Sequence, residues 1–317
     1  MIVELAGGVG GAKLARGLAL ALPAGELTVI VNTGDDFDLY GLRICPDLDT
    51  VMYTLAGIVD AGPGWGVAGD TVQTLNAISR YGRDPWFKLG DQDFATHILR
   101  TERLRSGDLL TDVTAELASA LGVAAGMLPM TNDPVATLLD TPAGRLAFQD
   151  YFVGRRQSDD VLGVVFDGAE RARPTEQVME AIAAAEIIVV APSNPIVSIG
   201  PILALPGVEH ALTTATAPVV AVSPIVGGRA LKGPADRMLA TLGHEVSAVG
   251  VASLYASFID AFVIDESDRE LAPRIESLGL RTLVTGTVMG GDEDRRRLAM
   301  DVLAFGRRLR ARELTAR

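Results

Sequence analysis

Residues 2–31 read IVELAGGVGGAKLARGLALALPAGELTVIV, and this stretch decides the fold. Residues 2–6 and 27–31 are short apolar runs typical of buried strands, and residues 12–22 predict a helix after a glycine-rich turn. A strand, a glycine loop, a helix and a second strand within about thirty residues form a βαβ unit. The stretch therefore predicts parallel strands joined by helices.

The C-terminal half repeats this alternation. Strands are predicted at 161–166, 187–191, 219–223, 261–264 and 281–284, with helices at 175–185, 234–242 and 292–312. Buried strands that alternate with helices are typical of a mostly parallel, doubly wound sheet. We therefore predict an α/β, Rossmann-like fold.

The middle of the chain has a different pattern. Helical segments are predicted at 49–56, 71–81, 93–104 and 111–121, and strands at 127–130, 135–139 and 146–153. We predict one elaborated domain, with a Rossmann-like core at 1–46 and 156–317 and a mainly helical insertion at 47–155. The insertion is expected to pack over the carboxyl edge of the sheet, where it would cover a ligand.

The composition excludes several classes of protein. The chain has 317 residues, is 48% hydrophobic and carries a net charge of −12, which argues against nucleic-acid binding. A small anion remains compatible with this charge, because a metal or backbone N–H groups can hold it. No apolar run reaches the length of a membrane span, the apolar N-terminus is interrupted by Glu4 and Lys13, and Cys45 is the single cysteine. These features predict a soluble cytoplasmic protein without a disulfide.

Residues 32–50, NTGDDFDLYGLRICPDLDT, directly follow the second strand and contain five carboxylates: Asp35, Asp36, Asp38, Asp47 and Asp49. Crowded carboxylates repel one another, so a buried cluster needs a cation, hydrogen-bond donors or raised pKa values. The alternative is a solvated Asp-rich turn, since Asn, Gly and Asp favour turns. Asp35 and Asp36 are the candidate ligands of Mg²⁺.

Three further segments offer binding groups. Gly8, Gly10, Gly11 and Lys13 lie in a glycine loop that could admit a phosphate, although the loop matches neither the Rossmann fingerprint nor the P-loop, and a tight turn is the alternative. Residues 86–97, WFKLGDQDFATH, contain Lys88 and His97 near a helix start, where Asp91 or Asp93 could cap the helix. Ser193 and Asn194 follow an apolar strand as a polar turn.

Five segments together resemble one known family. They are AGGVGGAKLARGL, NTGDDFDLYGLRICPDLDT, KLGDQDFATHILRT, LPMTNDPVAT and APSNPIVSIGPIL, and the chain resembles the 2-phospho-L-lactate transferase family from residue 2 to about residue 290. A wider superfamily includes nucleotide-sugar-binding regulators, which typically carry a DDGGSSG-type string where this chain has DDFDLYG at 35–41. That difference favours the transferase, and a non-catalytic nucleotide-sugar-binding regulator is the alternative.

The resemblance implies a reaction in the biosynthesis of coenzyme F(420). A guanylyl-activated three-carbon acid would be transferred to the ribityl hydroxyl of 7,8-didemethyl-8-hydroxy-5-deazariboflavin, and GMP would be released. Asp49 and Lys88 match family positions that contact the deazaflavin, and Asp49 is also the candidate catalytic residue. The glycine loop and the Ser193–Asn194 turn are the candidates for nucleotide binding. A homodimer is expected on the same grounds.

The identity of the three-carbon acid is predicted only indirectly. The chain has three lysines against twenty-five arginines and is rich in alanine, which indicates a GC-rich genome such as those of actinobacteria. The actinobacterial branch of the family is understood to use a phosphoenolpyruvate-derived donor. We therefore expect an enolpyruvyl donor in place of a lactyl donor.

Overall fold

The computed structural model describes residues 1–316, with side chains described through residue 311. The strands are β1 (Ile2–Ala6), β2 (Leu27–Val31), β3 (Phe37–Leu39), β4 (Leu42–Ile44), β5 (Gly126–Pro129), β6 (Ala136–Thr141), β7 (Gly144–Ala147), β8 (Gly163–Asp167), β9 (Ile187–Val190), β10 (Val219–Val222), β11 (Ile225–Val226), β12 (Arg229–Ala230), β13 (Ala261–Ile264) and β14 (Arg281–Val284).

The α-helices are α1 (Gly8–Ala21), α2 (Pro46–Ala56), α3 (Gln73–Arg80), α4 (Asp91–Arg105), α5 (Leu110–Ala120), α6 (Glu176–Ala184), α7 (Gly200–Leu203), α8 (Val208–Thr213), α9 (Ala235–Thr241), α10 (Ala248–Tyr255), α11 (Ala272–Glu276) and α12 (Asp292–Ala316). Two π-helical turns (Asp150–Gly154 and Pro195–Ile199) and a 3₁₀ helix (Glu266–Leu271) complete the described elements. Among the described residues, no helix has both the length and the apolar composition needed to cross a bilayer.

Within residues 1–316, seven parallel strands form the main sheet in the order β14-β13-β10-β9-β1-β2-β5. Along the chain, strands are added on one side of β1 first and on the other side later, so the topological switch point lies between β1 and β9. Helices α1, α2 and α12 pack on one face, and α6, α8 and α10 pack on the other. The predicted α/β, doubly wound fold is therefore confirmed.

Strand β1 shows why the centre of the sheet reads as a continuous apolar run. Every one of its residues is buried, because helices cover both faces of a parallel sheet. Val3 and Leu5 pack in one core, and Ile2 and Ala6 pack in the other. Glu4 is the one ionisable residue of this apolar strand, and its carboxylate oxygens are fully buried without a hydrogen-bond partner. Burial raises the pKa of Glu4 well above its ordinary value.

Two strands belong to different sheets from those expected. β5 pairs with β2 at the edge of the main sheet, although its residues lie in the segment predicted as the insertion 47–155. β8, predicted at 161–166 among the core strands, instead pairs antiparallel with β6 in a separate sheet of order β7-β6-β8. Both strands have suitable local sequences, and the partner that a strand chooses is not encoded locally. The division into core and insertion stays a prediction.

One local prediction is wrong, and one local element was not predicted. The predicted strand 146–153 is wrong, because β7 ends at Ala147 and Asp150–Gly154 forms a π-helical turn. Phe148 and Phe152 stack with ring centroids 5.3 Å apart, which fits a helical spacing of four residues. The acidic string contains an unpredicted hairpin, β3–β4, whose two-residue turn places Tyr40 and Gly41 at φ of 52° and 76°. Positive φ at both central residues is typical of a type I′ turn.

Candidate active site

A cavity of about 750 Å³ lies at the carboxyl ends of the central strands. Residues 7–10 after β1, 192–194 after β9, 223–224 after β10 and 287–289 after β14 line it. Open α/β sheets bind their ligands in this crevice at the switch point. The volume falls in the range of roughly 300–1,000 Å³ that is usual for small-molecule and cofactor sites.

The carboxylates of the acidic string go to different places. Asp35, Asp47 and Asp49 line the cavity, whereas Asp38 is exposed on the hairpin. Asp36 is buried outside the cavity lining, with its carboxylate 3.6 Å from the guanidinium of Arg43. Burial raises the pKa of Asp36 to about 7, although Arg43 opposes the shift. Asp36 is therefore less suited than Asp47 to share a cation with Asp35.

Asp35 and Asp47 are two buried carboxylates of the cavity whose pKa values are both raised. Burial raises the pKa of Asp35, and the neighbouring Asp47 carboxylate raises it further. Burial also raises the pKa of Asp47, against hydrogen bonds from the Asn32 side chain at 2.9 Å and from the Gly8 backbone. Oδ1 of Asp35 is buried without a hydrogen-bond partner. An unpartnered oxygen beside a second carboxylate fits a hard divalent cation, so these residues could hold Mg²⁺.

The glycine loop packs closely against other parts of the protein. A Cβ at Gly10 would lie 2.1 Å from the carbonyl oxygen of Pro192, and one at Gly7 would lie 2.7 Å from Oδ2 of Asp47. Gly8 has a φ of 61°, a conformation that favours glycine. Its N–H donates to the Asp47 carboxylate, which therefore lies at the N-terminus of α1. Packing accounts for these glycines, and phosphate binding by Gly8, Gly10 and Gly11 stays a prediction.

Ser193 and Asn194 line the cavity but make hydrogen bonds within the protein. Oγ of Ser193 donates to the carbonyl oxygen of Gly7 at 2.8 Å and accepts from the Gly7 N–H at 3.2 Å. Oδ1 of Asn194 accepts from the Ile196 N–H at 2.9 Å and caps the following π-helical turn. The side chain of Ser193 therefore joins the two loops of the switch point, whereas that of Asn194 fixes its own turn. Contact with a nucleotide stays a prediction for both residues.

A network of charged and polar side chains joins α2 to α4. Nη1 and Nη2 of Arg100 donate to Oδ2 and Oδ1 of Asp49, the first at 3.1 Å. Nδ1 of His97 lies 3.6 Å from Oδ2 of Asp49, and its Nε2 lies 3.3 Å from Oδ1 of Asp93. The Tyr53 hydroxyl donates to the same oxygen of Asp93 at 2.8 Å. Asp49, Tyr53, Asp93 and His97 line the cavity, and Arg100 lies behind them.

Asp49, Asp93 and His97 also present possible metal ligands within 4.8 Å of one another. A cation at this place would compete with Arg100, because both oxygens of Asp49 already accept hydrogen bonds from its guanidinium. Burial alone would raise the pKa of Asp93, but interactions with His97 and Tyr53 lower it below its ordinary value. The arrangement therefore fits a hydrogen-bonded network better than a metal site.

The carboxylates near residue 91 divide between capping and this network. Asp91 accepts hydrogen bonds from the N–H groups of Gln73 at 3.0 Å and Thr74 at 2.9 Å, so it caps α3. The N-terminus of α4 is capped instead by Asp70, which accepts from the N–H of Asp93 at 3.1 Å. The prediction that Asp91 or Asp93 caps the helix at this position is wrong, because Asp70 caps α4 and Asp91 caps the neighbouring helix α3. The carboxylate of Asp93 is left for the network.

All three lysines of the chain line the same cavity. Nζ of Lys13 donates to the carbonyl oxygen of Met289 at 3.0 Å, and burial, together with Lys232, lowers the pKa of Lys13. Nζ of Lys232 donates to the carbonyl oxygen of Pro63 at 2.7 Å. Lys88 is exposed. Ammonium groups bind phosphates as compact charges, so the cavity combines an acidic wall with basic groups suited to an anionic ligand.

Aromatic side chains form another wall of the cavity. The rings of Trp86 and Phe87 meet edge to face with centroids 5.6 Å apart, and the rings of Phe148 and Phe152 stack on each other. The buried Gln149 directly follows Phe148. Large flat apolar surfaces with a few polar groups suit a planar heterocycle. Lys88, predicted to contact the acceptor, directly follows Phe87 at this wall.

Arg100 and Tyr53 were not predicted as part of the site. Arg100 follows His97 by three residues and Asp93 by seven, which places all three on one face of α4. That spacing was visible in the sequence, but an arginine on a helix is usually a surface residue, and nothing local indicates that this one is buried. The pairing of Arg100 with Asp49 joins residues 51 positions apart and depends on the packing of α4 beside α2.

Comparison with known proteins finds relatives that match nearly the whole chain. A family model described as 2-phospho-L-lactate transferase CofD matches residues 2–282. A phosphoenolpyruvate transferase of Streptomyces griseus is 43% identical over 316 residues, which cover 98% of this chain and 99% of that protein. A 2-phospho-L-lactate transferase of Methanosarcina acetivorans is also 43% identical, over 304 residues that cover 96% of this chain and 98% of that protein.

Solved structures support the fold alone. A crystal structure of a UPF0052 family protein from Bacillus halodurans superposes with a TM-score of 0.61 at 16% sequence identity, and the match covers 95% of this chain and 98% of that chain. At that identity the likeness concerns the arrangement of the sheet and its helices.

Proposed function

This chain belongs to the 2-phospho-L-lactate transferase CofD family and is a transferase, and from that premise we propose the reaction it catalyses. The enzyme transfers a phosphoenolpyruvyl group from a guanosine-diphosphate-linked donor to the terminal ribityl hydroxyl of 7,8-didemethyl-8-hydroxy-5-deazariboflavin. The hydroxyl oxygen attacks the phosphorus that bears the acid, the bridging phosphorus–oxygen bond breaks, and GMP leaves. The hydroxyl proton passes to solvent, and the product is a precursor of coenzyme F(420).

One observation carries this proposal: carboxylates, lysines and aromatic rings from distant parts of the chain converge on one cavity at the switch point. A phosphoryl transfer needs positioning and charge neutralisation more than covalent help. Aromatic rings suit the deazaflavin, and lysines suit the diphosphate. We place the acceptor beside Asp49, Lys88 and the aromatic wall, and the donor beside the glycine loop, Lys13 and the Ser193–Asn194 turn.

We propose that Mg²⁺ is held by Asp35 and Asp47, a revision of the Asp35–Asp36 pair. The support is the unpartnered Oδ1 of Asp35 and the neighbouring Asp47 carboxylate, which raises the pKa of Asp35. When bound, the ion would neutralise charge on the diphosphate. Asp49, which faces the same cavity, accepts a hydrogen bond from the ribityl hydroxyl and orients it toward the phosphorus.

The identity of the three-carbon acid in the donor is a separate part of the proposal. The relatives in Streptomyces griseus and Methanosarcina acetivorans carry the names of two different activities at the same 43% identity. Our choice of the enolpyruvyl donor rests on the arginine-rich composition. A pocket separates acids that differ by a few atoms only modestly, roughly ten- to two-hundredfold for a methylene-sized difference.

A competition experiment tests the function and the donor together. The enzyme is incubated with Mg²⁺, the deazaflavin and equal concentrations of lactyl and enolpyruvyl donors, and the product masses are compared. We expect mainly the dehydro product and stoichiometric GMP. A preference for the lactyl donor would overturn the donor assignment but keep the transferase. Binding of a nucleotide sugar without any transfer would instead favour the regulator.

The resemblance also leads us to propose a homodimer. Sedimentation equilibrium of the full chain at micromolar concentration would measure this directly. A monomeric enzyme with full turnover would contradict the dimer and leave the proposed reaction untouched.

A further inference from the structure

Arg100 is a buried cation to which the proposed reaction gives no role. Its side chain is 2% exposed, and its guanidinium donates to both carboxylate oxygens of Asp49. Nη1 also donates to the backbone oxygen of Arg43 at 3.4 Å and lies 3.3 Å from Nδ1 of His97. Arg100 does not line the cavity, but Asp49 and His97 do. The guanidinium therefore reaches the cavity through these two residues.

Stability alone is a weak reason for such a pair. Desolvating two charges costs much of what their attraction returns, and apolar residues of similar volume are often equally stabilising. The geometry offers something that apolar packing does not. Two parallel N–H···O bonds define the plane of a carboxylate, whereas a single contact leaves it free to rotate. His97 limits Asp49 from a second direction, with Nδ1 3.6 Å from Oδ2.

His97 is itself held in place. Its Nε2 lies 3.3 Å from Oδ1 of Asp93, and Tyr53 donates to that same oxygen at 2.8 Å. The ring thus has a carboxylate on one side and the Asp49–Arg100 pair on the other. Both groups that contact the carboxylate of Asp49, Arg100 and His97, thus have a further partner among the described residues.

We propose that Arg100 is a positioning residue that holds the carboxylate of Asp49 in one orientation toward the attacking hydroxyl of the acceptor. This inference rests on the function proposed above. Asp49 lines the cavity, and each carboxylate oxygen that accepts from Arg100 keeps a second lone pair, which would accept the hydrogen bond of the ribityl hydroxyl. Because both oxygens already accept from the guanidinium, Asp49 orients the nucleophile and is not the final acceptor of its proton.

A double-mutant cycle in kcat separates this role from a structural one. Arg100→Ala and Asp49→Asn are each expected to lower kcat about a hundredfold, the effect of misplacing a reacting group by about 1 Å. If Arg100 acts through Asp49, the double variant loses no more than either single variant. We expect the KM for the deazaflavin to change less than kcat in all three. Losses that multiply in the double variant would overturn the proposal.

Chemical rescue provides a readout that a merely structural role would not move. Guanidinium chloride at tens of millimolar is expected to restore kcat of Arg100→Ala at least tenfold, whereas sodium chloride at equal ionic strength is not. Arg100→Lys should recover little activity, because an ammonium group does not make the two parallel bonds. Arg145→Ala is the matched control, since Arg145 pairs with Asp140 at 2.7 Å on the surface. It should keep wild-type kcat and show no response to guanidinium.

The cycle stays decisive if Arg100→Ala fails to fold because Asp49 is left buried and unpaired. The comparison then runs from Asp49→Asn to the double variant, neither of which retains an unpaired charged Asp49. A further loss of kcat in that step, with an unchanged melting temperature, would refute the positioning role. Wild-type enzyme that forms no deazaflavin product would contradict the proposed function before any variant is compared, so the two failures are distinguishable.

Discussion

Replacing Gly10 by alanine tests how closely the turn after β9 must approach α1. The Cβ of alanine would lie 2.1 Å from the carbonyl oxygen of Pro192. Non-bonded carbon and oxygen atoms in close backbone contacts approach to about 3.3 Å. The start of α1 and the turn at 192–194 must therefore separate by roughly 1 Å, a distance that matters because both segments line the cavity.

The expected effects follow from that displacement. Overpacking lowers the free energy of unfolding by about 1–3 kcal/mol, and alanine offsets about 0.5–1 kcal/mol of this because it loses less backbone entropy than glycine in a helix. A displacement of about 1 Å at a reacting site lowers turnover about a hundredfold. Gly10→Ala should thus melt a few degrees lower and turn over about a hundredfold more slowly.

Turnover is measured as deazaflavin product by mass, at saturating donor and acceptor, with the melting temperature recorded on the same preparation. Gly291→Ala is the control, because a Cβ there meets nothing within 4 Å. Wild-type turnover and melting in Gly10→Ala would show that the two loops can separate freely, and the packing argument for the glycine loop would be refuted.

Three further predictions concern single side chains. Glu4→Gln should melt at a higher temperature than wild type at pH 8 and at a similar temperature near pH 4. Burial raises the pKa of Glu4, so its contribution to stability is present below the ordinary glutamate pKa of about 4.3 and is lost as pH rises through the folded-state pKa. Calorimetric scans of both proteins check this, and the same difference in melting temperature at both pH values would contradict it. Asp35→Asn should weaken Mg²⁺ binding about tenfold or more, as measured by titration calorimetry. Asp38→Asn is the control, because Asp38 is exposed, and it should leave Mg²⁺ binding unchanged. Equal weakening in both variants would indicate an effect of net charge and not of a specific ligand. Lys88→Met should raise the KM for the deazaflavin about tenfold through loss of a charged hydrogen bond, with the donor KM nearly unchanged; the reverse pattern would move Lys88 to the donor side.

The fold was predictable where the information is local. β1 and β2 have the predicted bounds because both are uninterrupted apolar runs, and the glycine turn and helix between them leave few alternatives. β5 and β8 show the limit. Both are recognisable as strands, but one completes the main sheet and the other forms a separate antiparallel sheet. Strand partners are chosen by packing over long separations, which a local pattern does not contain.

The same limit applies to the site. The acidic string and the lysines were recognisable as chemistry, and most of them do line one cavity. Asp35 and Asp36 were indistinguishable in the sequence, yet neighbouring residues outside a helix project in different directions, so one enters the cavity and the other meets Arg43. The partner of Asp49 was hidden for a further reason. Arg100 becomes a buried cation only when α4 packs beside the acidic string.

The choice of lysine at three places has a physical rationale in this chain. A net charge of −12 repels an anionic donor, so the attraction must come from groups inside the cavity. Those groups share the cavity with the buried carboxylates Asp35 and Asp47. An arginine that reached either carboxylate would form a strong bidentate pair and be withdrawn from a phosphate. Lys13 instead donates to the carbonyl oxygen of Met289, a neutral partner that a phosphate can displace at little cost. Arg100, by contrast, forms such a bidentate pair with the carboxylate of Asp49. In this arginine-rich chain, lysine thus occurs where a phosphate must be able to bind, and arginine occurs where a carboxylate must be held.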